Sequence, residues 1–240
     1  MRVAVLSDIH ANLAALDAVL GSLGSVDAVW HLGDVVGYGP DPDGVVERLG
    51  EIGAIGVRGN HDAAAAGGNE IEWFNPDARR AMEWTRARIA GPTRDWLAAL
   101  PERHGEGEFS LVHGSPREPT WEYIVSVPIA RANLATLTTP FGLFGHTHLP
   151  MVFAEHDGRV EQIEPGDGST LSLDGRRALV NPGSVGQPRD GIVTASYLIL
   201  DTEARRVTWH RTAYDVASVQ AAMADAGLPA RLVERLAYGL

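Results

Sequence analysis

Five short segments of the chain carry side chains that commonly bind metal ions, and each segment directly follows an apolar run. Carboxylate, amide and imidazole groups together suit manganese, iron or zinc better than calcium. The pattern predicts a site for divalent transition-metal ions, manganese first, with iron, zinc, nickel or cobalt as alternatives. The segments are Asp8-x-His10, Gly33-Asp34, Gly59-Asn60-His61-Asp62, His113-Gly114 and Gly145-His146-Thr147-His148.

The repetition of this design carries more information than any single segment. An isolated Gly-Asp or Asn-His pair is more often part of a turn than of a metal site. Here five of the nine histidines fall in the segments, and Asp8 and His10 are spaced two apart, like His146 and His148. Side chains with that spacing project to the same side of an extended chain. We therefore expect the five segments to meet in one crevice.

Short aliphatic runs alternate with helical patterns along the chain, which predicts an α/β fold. Ligands that follow several strands of one sheet converge at its edge, where α/β sheets usually bind ligands. We expect the last two strands to form an antiparallel pair. The predicted strands are residues 2–7, 27–32, 52–57, 109–113, 141–145, 151–155, 177–181, 195–200 and 205–211.

Helix signals complete the predicted organisation. Asn12 is expected to cap a helix that runs to about Leu20 and stops at Gly21, and another helix begins near Pro42. We expect one domain over residues 1–240. Within it, residues 63–106 form a helical insertion, with a cap at 75–77 and a second helix over 93–100, and residues 216–240 form a C-terminal helical segment.

Composition narrows the chemistry further. The formal net charge is −11, from 20 basic and 31 acidic residues, which disfavours long nucleic acids as partners. The chain has no cysteine and no lysine, which excludes thiolate, iron–sulfur, Schiff-base and P-loop chemistry. No segment is apolar enough to cross a membrane or to act as a signal peptide, so we expect a cytoplasmic protein.

The five segments, in this order, resemble the pattern of the calcineurin-like metallophosphoesterases: D-x-H, G-D, G-N-H-D/E, H and G-H-x-H. The resemblance spans residues 3–148, and the later NPGSVGQPRDG at 181–191 is similar to a closing loop of small bacterial members. It implies a four-layer α-β-β-α sandwich of two mixed sheets with an inserted helical cap. It also implies phosphoester hydrolysis by a hydroxide that bridges two metal ions.

Transferred by position, the resemblance assigns one metal to Asp8, His10, Asp34 and His148, and the other to Asp34, Asn60, His113 and His146. Asp34 would bridge the two. The positive charge of two dications exceeds the negative charge of the two aspartates. The remaining positive charge would allow an acidic chain to bind a phosphate ester. A water held by such metals loses its proton near neutral pH.

His61 belongs to the motif without being a ligand in this assignment. Together with Asp62 it is predicted to stabilise the transition state or to protonate the leaving oxygen. A hydrogen bond from His61 to a metal ligand is the alternative.

Arginines and aromatic residues near the motifs are candidates for substrate binding. Arg58, Arg117 and Arg189 lie beside motif segments, where each is equally compatible with a structural ion pair. Trp121 and Tyr123 follow His113 closely and are candidates for stacking on a nucleobase. The aromatic residues of the insertion are expected to form its core; they are Trp73, Phe74, Trp84 and Trp96.

The leading prediction is an enzyme that acts on a small phosphorylated substrate. A non-catalytic scaffold is the alternative, since a relative of this fold in the retromer coat serves as an interaction platform. The intact set of ligands favours the enzyme. Hydrolysis of phosphomonoesters, of cyclic or linear phosphodiesters and of dinucleoside polyphosphates needs the same metal chemistry. Among these classes, we favour small nucleotide-like esters as substrates. The sequence leaves the oligomeric state open.

Overall fold

Two mixed β-sheets lie face to face in the computed structural model, which describes all 240 residues. Each sheet has six strands. The strands are β1 (Arg2–Leu6), β2 (Ala28–His31), β3 (Ile55–Gly56), β4 (Arg103–Glu106), β5 (Phe109–Val112), β6 (Phe141–Leu143), β7 (Pro150–His156), β8 (Arg159–Ile163), β9 (Thr170–Ser172), β10 (Arg177–Pro182), β11 (Ala195–Asp201) and β12 (Arg206–Thr212).

Eight α-helices and one 3-10 helix connect and flank the sheets. No helix has the combination of length and apolar character that is needed to cross a membrane. The helices are α1 (Leu13–Ser22), α2 (Pro42–Glu51), α3 (Asn60–Ala65), the 3-10 helix (Asn69–Trp73), α4 (Pro76–Arg88), α5 (Gly91–Ala99), α6 (Val127–Leu134), α7 (Val216–Asp225) and α8 (Ala230–Arg235).

The parallel strands lie at one end of the first sheet and in the middle of the second. The first sheet has the order β3-β2-β1-β11-β12-β9, and the second has the order β4-β5-β6-β10-β7-β8. Strands β1, β2 and β3 are parallel neighbours, as are β5, β6 and β10. Each parallel set therefore presents its carboxyl ends at one edge of its sheet, where the chain leaves the strand as a loop.

Buried apolar side chains form three clusters, one between the sheets and one on the outer face of each sheet. Trp30 and Trp209 are buried between the sheets. Helices including α1, α2 and α4 pack on the outer face of the first sheet, and α6 packs on the outer face of the second. The four-layer α-β-β-α sandwich of two mixed sheets is confirmed, and so is the antiparallel pairing of β11 with β12.

The predicted helix caps form, although some bounds differ. The Asn12 side chain accepts a hydrogen bond from the Ala15 amide, and the Asn75 side chain caps α4. Helix α1 continues through Gly21 to Ser22, because a single glycine weakens a helix without ending it. Strand β3 is shorter than the predicted 52–57, since the preceding residues close α2 through a turn.

Several elements were not anticipated from sequence, and α3 and α6 are among them. Strands β4, β8 and β9 have mostly exposed or half-buried side chains, so their sequences lack the apolar alternation that indicates a strand. Strand β4 lies at 103–106, at the end of the segment expected to be a helical insertion. Helix α6 begins at Val127 next to Pro128, a position that favours helix starts.

We expect Trp209→Ala to lower the free energy of unfolding by about 3–5 kcal/mol, because the change leaves a cavity between the sheets. It also removes the donor of a 3.0 Å hydrogen bond from the indole nitrogen to the Asn181 carbonyl. Urea unfolding in the presence of a chelator measures this loss. Trp73→Ala is the control, since Trp73 is 70% exposed and should change stability by about 0.5 kcal/mol or less. Equal losses in the two variants would contradict the assigned core.

Candidate metal centre

The loops that leave the parallel strands of the two sheets meet at one edge of the sandwich. Asp8 and His10 follow β1, Asp34 follows β2, and Asn60 begins α3 shortly after β3. From the second sheet, His113 follows β5, and His146 and His148 follow β6. All seven side chains are at least 97% buried. The structure therefore brings together every side chain that the sequence proposes as a metal ligand.

Most of these ligands have a left-handed backbone conformation, which residues with a side chain rarely adopt. The φ angles lie between 50° and 65° for Asp8, His10, Asp34, His146 and His148. Each such residue costs on the order of 1 kcal/mol, and strain of this kind persists where the surrounding structure imposes it. These left-handed residues form the sharp turns that carry the motif side chains from the strand ends into one buried space.

One cluster of ligand atoms forms around Asp8, His10 and His148. The Nε2 atoms of the two histidines are 3.1 Å apart, and Asp8 Oδ1 is 3.3 Å from His148 Nε2 and 3.9 Å from His10 Nε2. Asp8 Oδ1 is buried and has no hydrogen-bond partner. The other oxygen, Oδ2, accepts hydrogen bonds from the Ser7 hydroxyl and the His146 amide.

The second cluster is built on His113. Its Nε2 lies 3.0 Å from His146 Nδ1, 3.1 Å from Asn60 Oδ1 and 3.3 Å from Asp34 Oδ2. Asp34 Oδ2 is also 3.7 Å from His10 Nε2 in the first cluster. Asp34 Oδ1 accepts a hydrogen bond from the His61 amide. One oxygen of Asp34 therefore lies near ligand atoms of both clusters.

Backbone carbonyls fix the orientation of three of the histidines. The Nδ1 atoms of His10, His113 and His148 lie 3.2, 2.8 and 2.5 Å from the carbonyl oxygens of Val36, Leu32 and Gln187. A carbonyl only accepts, so each Nδ1 carries the proton and each Nε2 presents its lone pair to the cluster. Gln187 belongs to the loop after β10, so the closing-loop segment 181–191 reaches the site.

Electrostatics keeps most of these imidazoles neutral. Burial lowers the pKa of His146 to about 3 and lowers the pKa of His10 well below its ordinary value. His113 differs: burial opposes its protonated form, but the Asp34 and Asp8 carboxylates and the Leu32 carbonyl together raise the pKa of His113 to about 9. Neutral imidazole is the form that binds metal, and at His113 a bound cation would take the place of the proton.

The clusters fit transition-metal ions. Metal–ligand bonds of about 2.1 Å place neighbouring ligand atoms roughly 3.0 Å apart in octahedral geometry and roughly 3.4 Å apart in tetrahedral geometry. Most of the separations given above lie in this range. Several lone pairs face one another in each cluster, an arrangement that only a cation or added protons can stabilise. The nitrogen and oxygen donors, with no thiolate, suit divalent first-row metals.

Close approach of the chain to the clusters requires glycine at position 59. A Cβ atom there would lie 2.1 Å from Asp34 Oδ1 and 2.4 Å from the Asp34 amide nitrogen. The Gly-Asn-His-Asp segment can therefore pass directly beside the shared carboxylate only because Gly59 has no side chain.

His61 and Asp62 have different surroundings. His61 Nδ1 is buried without a hydrogen-bond partner, and a His61 ring nitrogen lies within 4.8 Å of ligand atoms of His10 and Asp34. Burial lowers the pKa of His61 to about 4. Both oxygens of Asp62 accept hydrogen bonds from backbone amides, those of Val36 and Gly59. Asp62 therefore holds the start of α3 and forms no hydrogen bond with His61.

The three candidate arginines separate into two groups. Arg58 pairs with Glu102 at 3.3 Å, and Arg117 pairs with Glu122, both at the protein surface. Arg189 instead lines a pocket that opens onto the clusters. Only Arg189 of the three is therefore placed where it can contact a substrate bound there.

Aromatic side chains form one wall of this pocket. The Tyr123 ring stacks on the His146 ring at a centroid distance of 3.8 Å, and Trp121 lies 5.3 Å from Trp73 and 5.5 Å from Phe74. Trp73 was expected in the core of the insertion, but it is 70% exposed because the 3-10 helix holds it at the pocket mouth.

Tyr38, which was not predicted from the sequence, contacts both His10 and His61 with ring centroids 4.6 and 4.4 Å away. Its position in a glycine-rich turn after Gly33-Asp34 was the available signal, since Gly37 and Gly39 flank it. The φ angle of Tyr38 is 63°, so the same strained backbone that marks the ligands also marks this residue.

Comparison with known proteins agrees with the fold and with the predicted family. A metallophosphoesterase from Sphaerobacter thermophilus has a crystal structure that is 46% identical, with a TM-score of 0.93 and full coverage of both chains. An uncharacterized protein of Methanocaldococcus jannaschii is 34% identical over 99% of this chain and 98% of its own. The phosphodiesterase YfcE of Escherichia coli is 29% identical over 86% of this chain and 91% of its own. Residues 1–205 match the calcineurin-like phosphoesterase superfamily domain. The chain therefore belongs to the calcineurin-like phosphoesterase superfamily and is a hydrolase of phosphoester bonds.

Proposed function

We propose that the protein is a dinuclear metal-dependent phosphohydrolase that cleaves small, nucleotide-like phosphoesters. The observation that carries the proposal is the shared position of Asp34 Oδ2, 3.3 Å from His113 Nε2 and 3.7 Å from His10 Nε2. A carboxylate oxygen between two groups of nitrogen and oxygen ligands is suited to joining two cations. Asp8, His10, Asp34 and His148 would hold one metal, and Asp34, Asn60, His113 and His146 the other.

The protein side chains then have distinct tasks. When bound, two divalent metals supply the acidity that turns water into a nucleophile near neutral pH and the charge that stabilises phosphoryl oxygens. The chain contributes orientation, because the carbonyl contacts of His10, His113 and His148 prevent their rings from rotating. Burial of the ligands excludes competing water and strengthens every electrostatic contact in the site.

His61 is proposed as the catalytic side chain outside the coordination shell. Its ring is packed between Tyr38 and Phe74, with centroid distances of 4.4 and 4.6 Å, so its position beside the clusters is fixed. An imidazole held there can stabilise charge on a phosphoryl oxygen or donate a proton to the leaving oxygen. Asp62 acts as a positioning residue, since its carboxylate is occupied by the backbone amides that hold the Asn60-His61 turn.

The pocket wall supports a substrate with an aromatic group. Trp73, Trp121 and Tyr123 border the same pocket as Asn60 and His146, and flat exposed rings bind nucleobases by stacking. The likeness to a phosphodiesterase supports a diester as substrate. We therefore propose phosphodiesters with an aromatic leaving or base group as the first compounds to test.

Removal of divalent metal with a chelator should abolish hydrolysis of bis(4-nitrophenyl) phosphate, and added manganese should restore it. Metal that binds only the folded state adds about 2.7 kcal/mol of stability at about a hundred times its dissociation constant, so the melting temperature should rise with manganese. Circular dichroism of the chelated protein provides the control for folding. Full activity in metal-free protein would contradict the proposal.

Asp34→Asn should reduce the content of both metals, because the shared oxygen loses its charge while the two cations still repel each other. Asn60→Ala is the matched comparison, since it removes a neutral ligand from one cluster only. Metal analysis per chain after gel filtration measures the difference, and we expect affinity losses of at least about a hundredfold for Asp34→Asn. Retention of two metals by Asp34→Asn would show that the carboxylate is not a bridge.

His61→Ala should keep both metals and slow turnover by about 10^2- to 10^4-fold. The loss should be greater for an alkyl ester than for a 4-nitrophenyl ester if the imidazole protonates the leaving oxygen, because a basic leaving group needs that proton more. Metal content and kcat are measured on the same preparation. Loss of a metal would instead identify His61 as a ligand, and equal losses on the two esters would contradict proton donation.

A further inference from the structure

Two arginines meet beside the metal centre without an acidic partner. The guanidinium carbons of Arg189 and Arg235 lie 6.0 and 4.9 Å from the centre of the Tyr38 ring. Arg189 comes from the loop after β10, and Arg235 is the last residue of α8. Neither forms an ion pair with a carboxylate, and Arg189 Nη2 donates only to the side-chain oxygen of Gln187, at 3.1 Å.

The unpaired nitrogens are inside the protein. Arg189 Nε, Arg235 Nε and Arg235 Nη2 are buried and have no hydrogen-bond partner. Buried donors of a charged group that lack a partner are costly, and two like charges beside one ring repel each other. Burial and the charge of Arg189 lower the pKa of Arg235 to about 10, so the Arg235 side chain remains charged at neutral pH. An anion that accepts from both guanidinium groups would offset these costs.

The arrangement is held by the fold and does not depend on two flexible side chains. Leu232 and Leu236 of the α8 segment are buried in the core beside Arg235. The Gly191 amide donates a 2.9 Å hydrogen bond to the Gly239 carbonyl, and a Cβ on Gly239 would lie 2.6 Å from the Ile192 amide nitrogen. The C-terminal segment is thereby fixed against the loop that carries Arg189.

The arginine pair is close to the clusters but separate from them. Tyr38 contacts the His10 ring at 4.6 Å and Arg235 at 4.9 Å, so the Arg235 guanidinium lies at most about 9.5 Å from the His10 ring. Arg235 forms no hydrogen bond with a ligand side chain. The distance suits a second charged group on the same small molecule whose first phosphoryl group occupies the metal centre. Guanidinium groups bind phosphate through two parallel hydrogen bonds, which makes phosphate the fitting partner.

We propose that Arg189 and Arg235 form an anion subsite that binds a second phosphate of the substrate, apart from the phosphoryl group that is cleaved. The inference rests on the proposed function for the position of the cleaved group. It narrows the substrate class to phosphoesters that carry another phosphate, such as nucleoside bisphosphates or polyphosphates. The C-terminal helical segment, through Arg235, then determines specificity.

Two esters that differ in one phosphate test the subsite. They are the 4-nitrophenyl ester of thymidine 5′-phosphate and the same ester with an added 3′-phosphate. The unmodified protein with manganese should favour the 3′-phosphorylated ester by about tenfold in kcat/KM. Arg235→Gln should lower kcat/KM for that ester about tenfold and change the other less than twofold. Arg231→Gln is the matched control, since Arg231 is an exposed arginine of the same helix and should leave the preference intact.

Thermal unfolding of the chelated protein gives a readout that is independent of activity. Sulfate at roughly five times its dissociation constant should raise the melting temperature by about 2–4 °C over chloride at equal ionic strength. Arg235→Gln should lose this shift and Arg231→Gln should keep it. A sulfate shift without hydrolysis of either ester would support the subsite and reject the proposed function. Hydrolysis with no preference between the esters, or an equal loss on both in Arg235→Gln, would overturn the subsite.

Discussion

Lone pairs that face one another inside the protein are the constraint on which the rest of this structure depends. His10 Nε2 and His148 Nε2 approach to 3.1 Å, and His113 Nε2 approaches His146 Nδ1 to 3.0 Å, with carboxylate and amide oxygens equally near. Without positive charge between them, such atoms repel and remain unsatisfied at considerable cost. The fold holds them together because each ring is fixed from behind by a carbonyl or by packing. The free energy gained by burying apolar side chains therefore keeps the ligand atoms in a geometry that binds cations.

The strained backbone of the ligand residues also serves to bring these atoms together. Each strand ends just before its ligands, so the chain must change direction sharply there to bring ligands from several strands into one buried space. Left-handed φ angles at Asp8, His10, Asp34, His146 and His148 supply that change at the ends of β1, β2 and β6. Hydrogen bonds from Val185 and Gly186 to the carbonyls of Ser7 and Asp8 fasten these turns to the loop after β10. The two sheets are thus joined at the site as well as through their core.

Sequence reasoning was strong where one physical signal dominated. Buried strands such as β1 and β11 are continuous apolar runs, and the caps at Asn12 and Asn75 follow from side-chain chemistry near the helix start. The metal-type ligands were found because their spacing recurs after strands. Strands β8 and β9 could not be found in this way, since exposed strands owe their structure to pairing with a neighbour. Asp62, Arg58 and Arg117 show a related limit: proximity in sequence to a motif does not indicate whether a side chain points to the site or to a structural partner.

Arg235 shows that a residue far from the motifs in sequence can also lie at the site. It stands almost 90 residues after the last motif histidine, and the packing of the C-terminal segment places it beside Tyr38. In a chain with net charge −11 and no lysine, arginines such as Arg205 and Arg211 pair with nearby carboxylates. Arg189 and Arg235 are half-buried beside the Tyr38 ring and form no such pair. An acidic surface repels phosphates in general, so the free energy of binding must come from the few places where positive charge is left unneutralised. The ligand clusters, Arg189 and the aromatic wall border one pocket, and Arg235 lies beside Tyr38, another residue of that pocket. A substrate that contacts these groups has its scissile bond oriented by the contacts at its other groups.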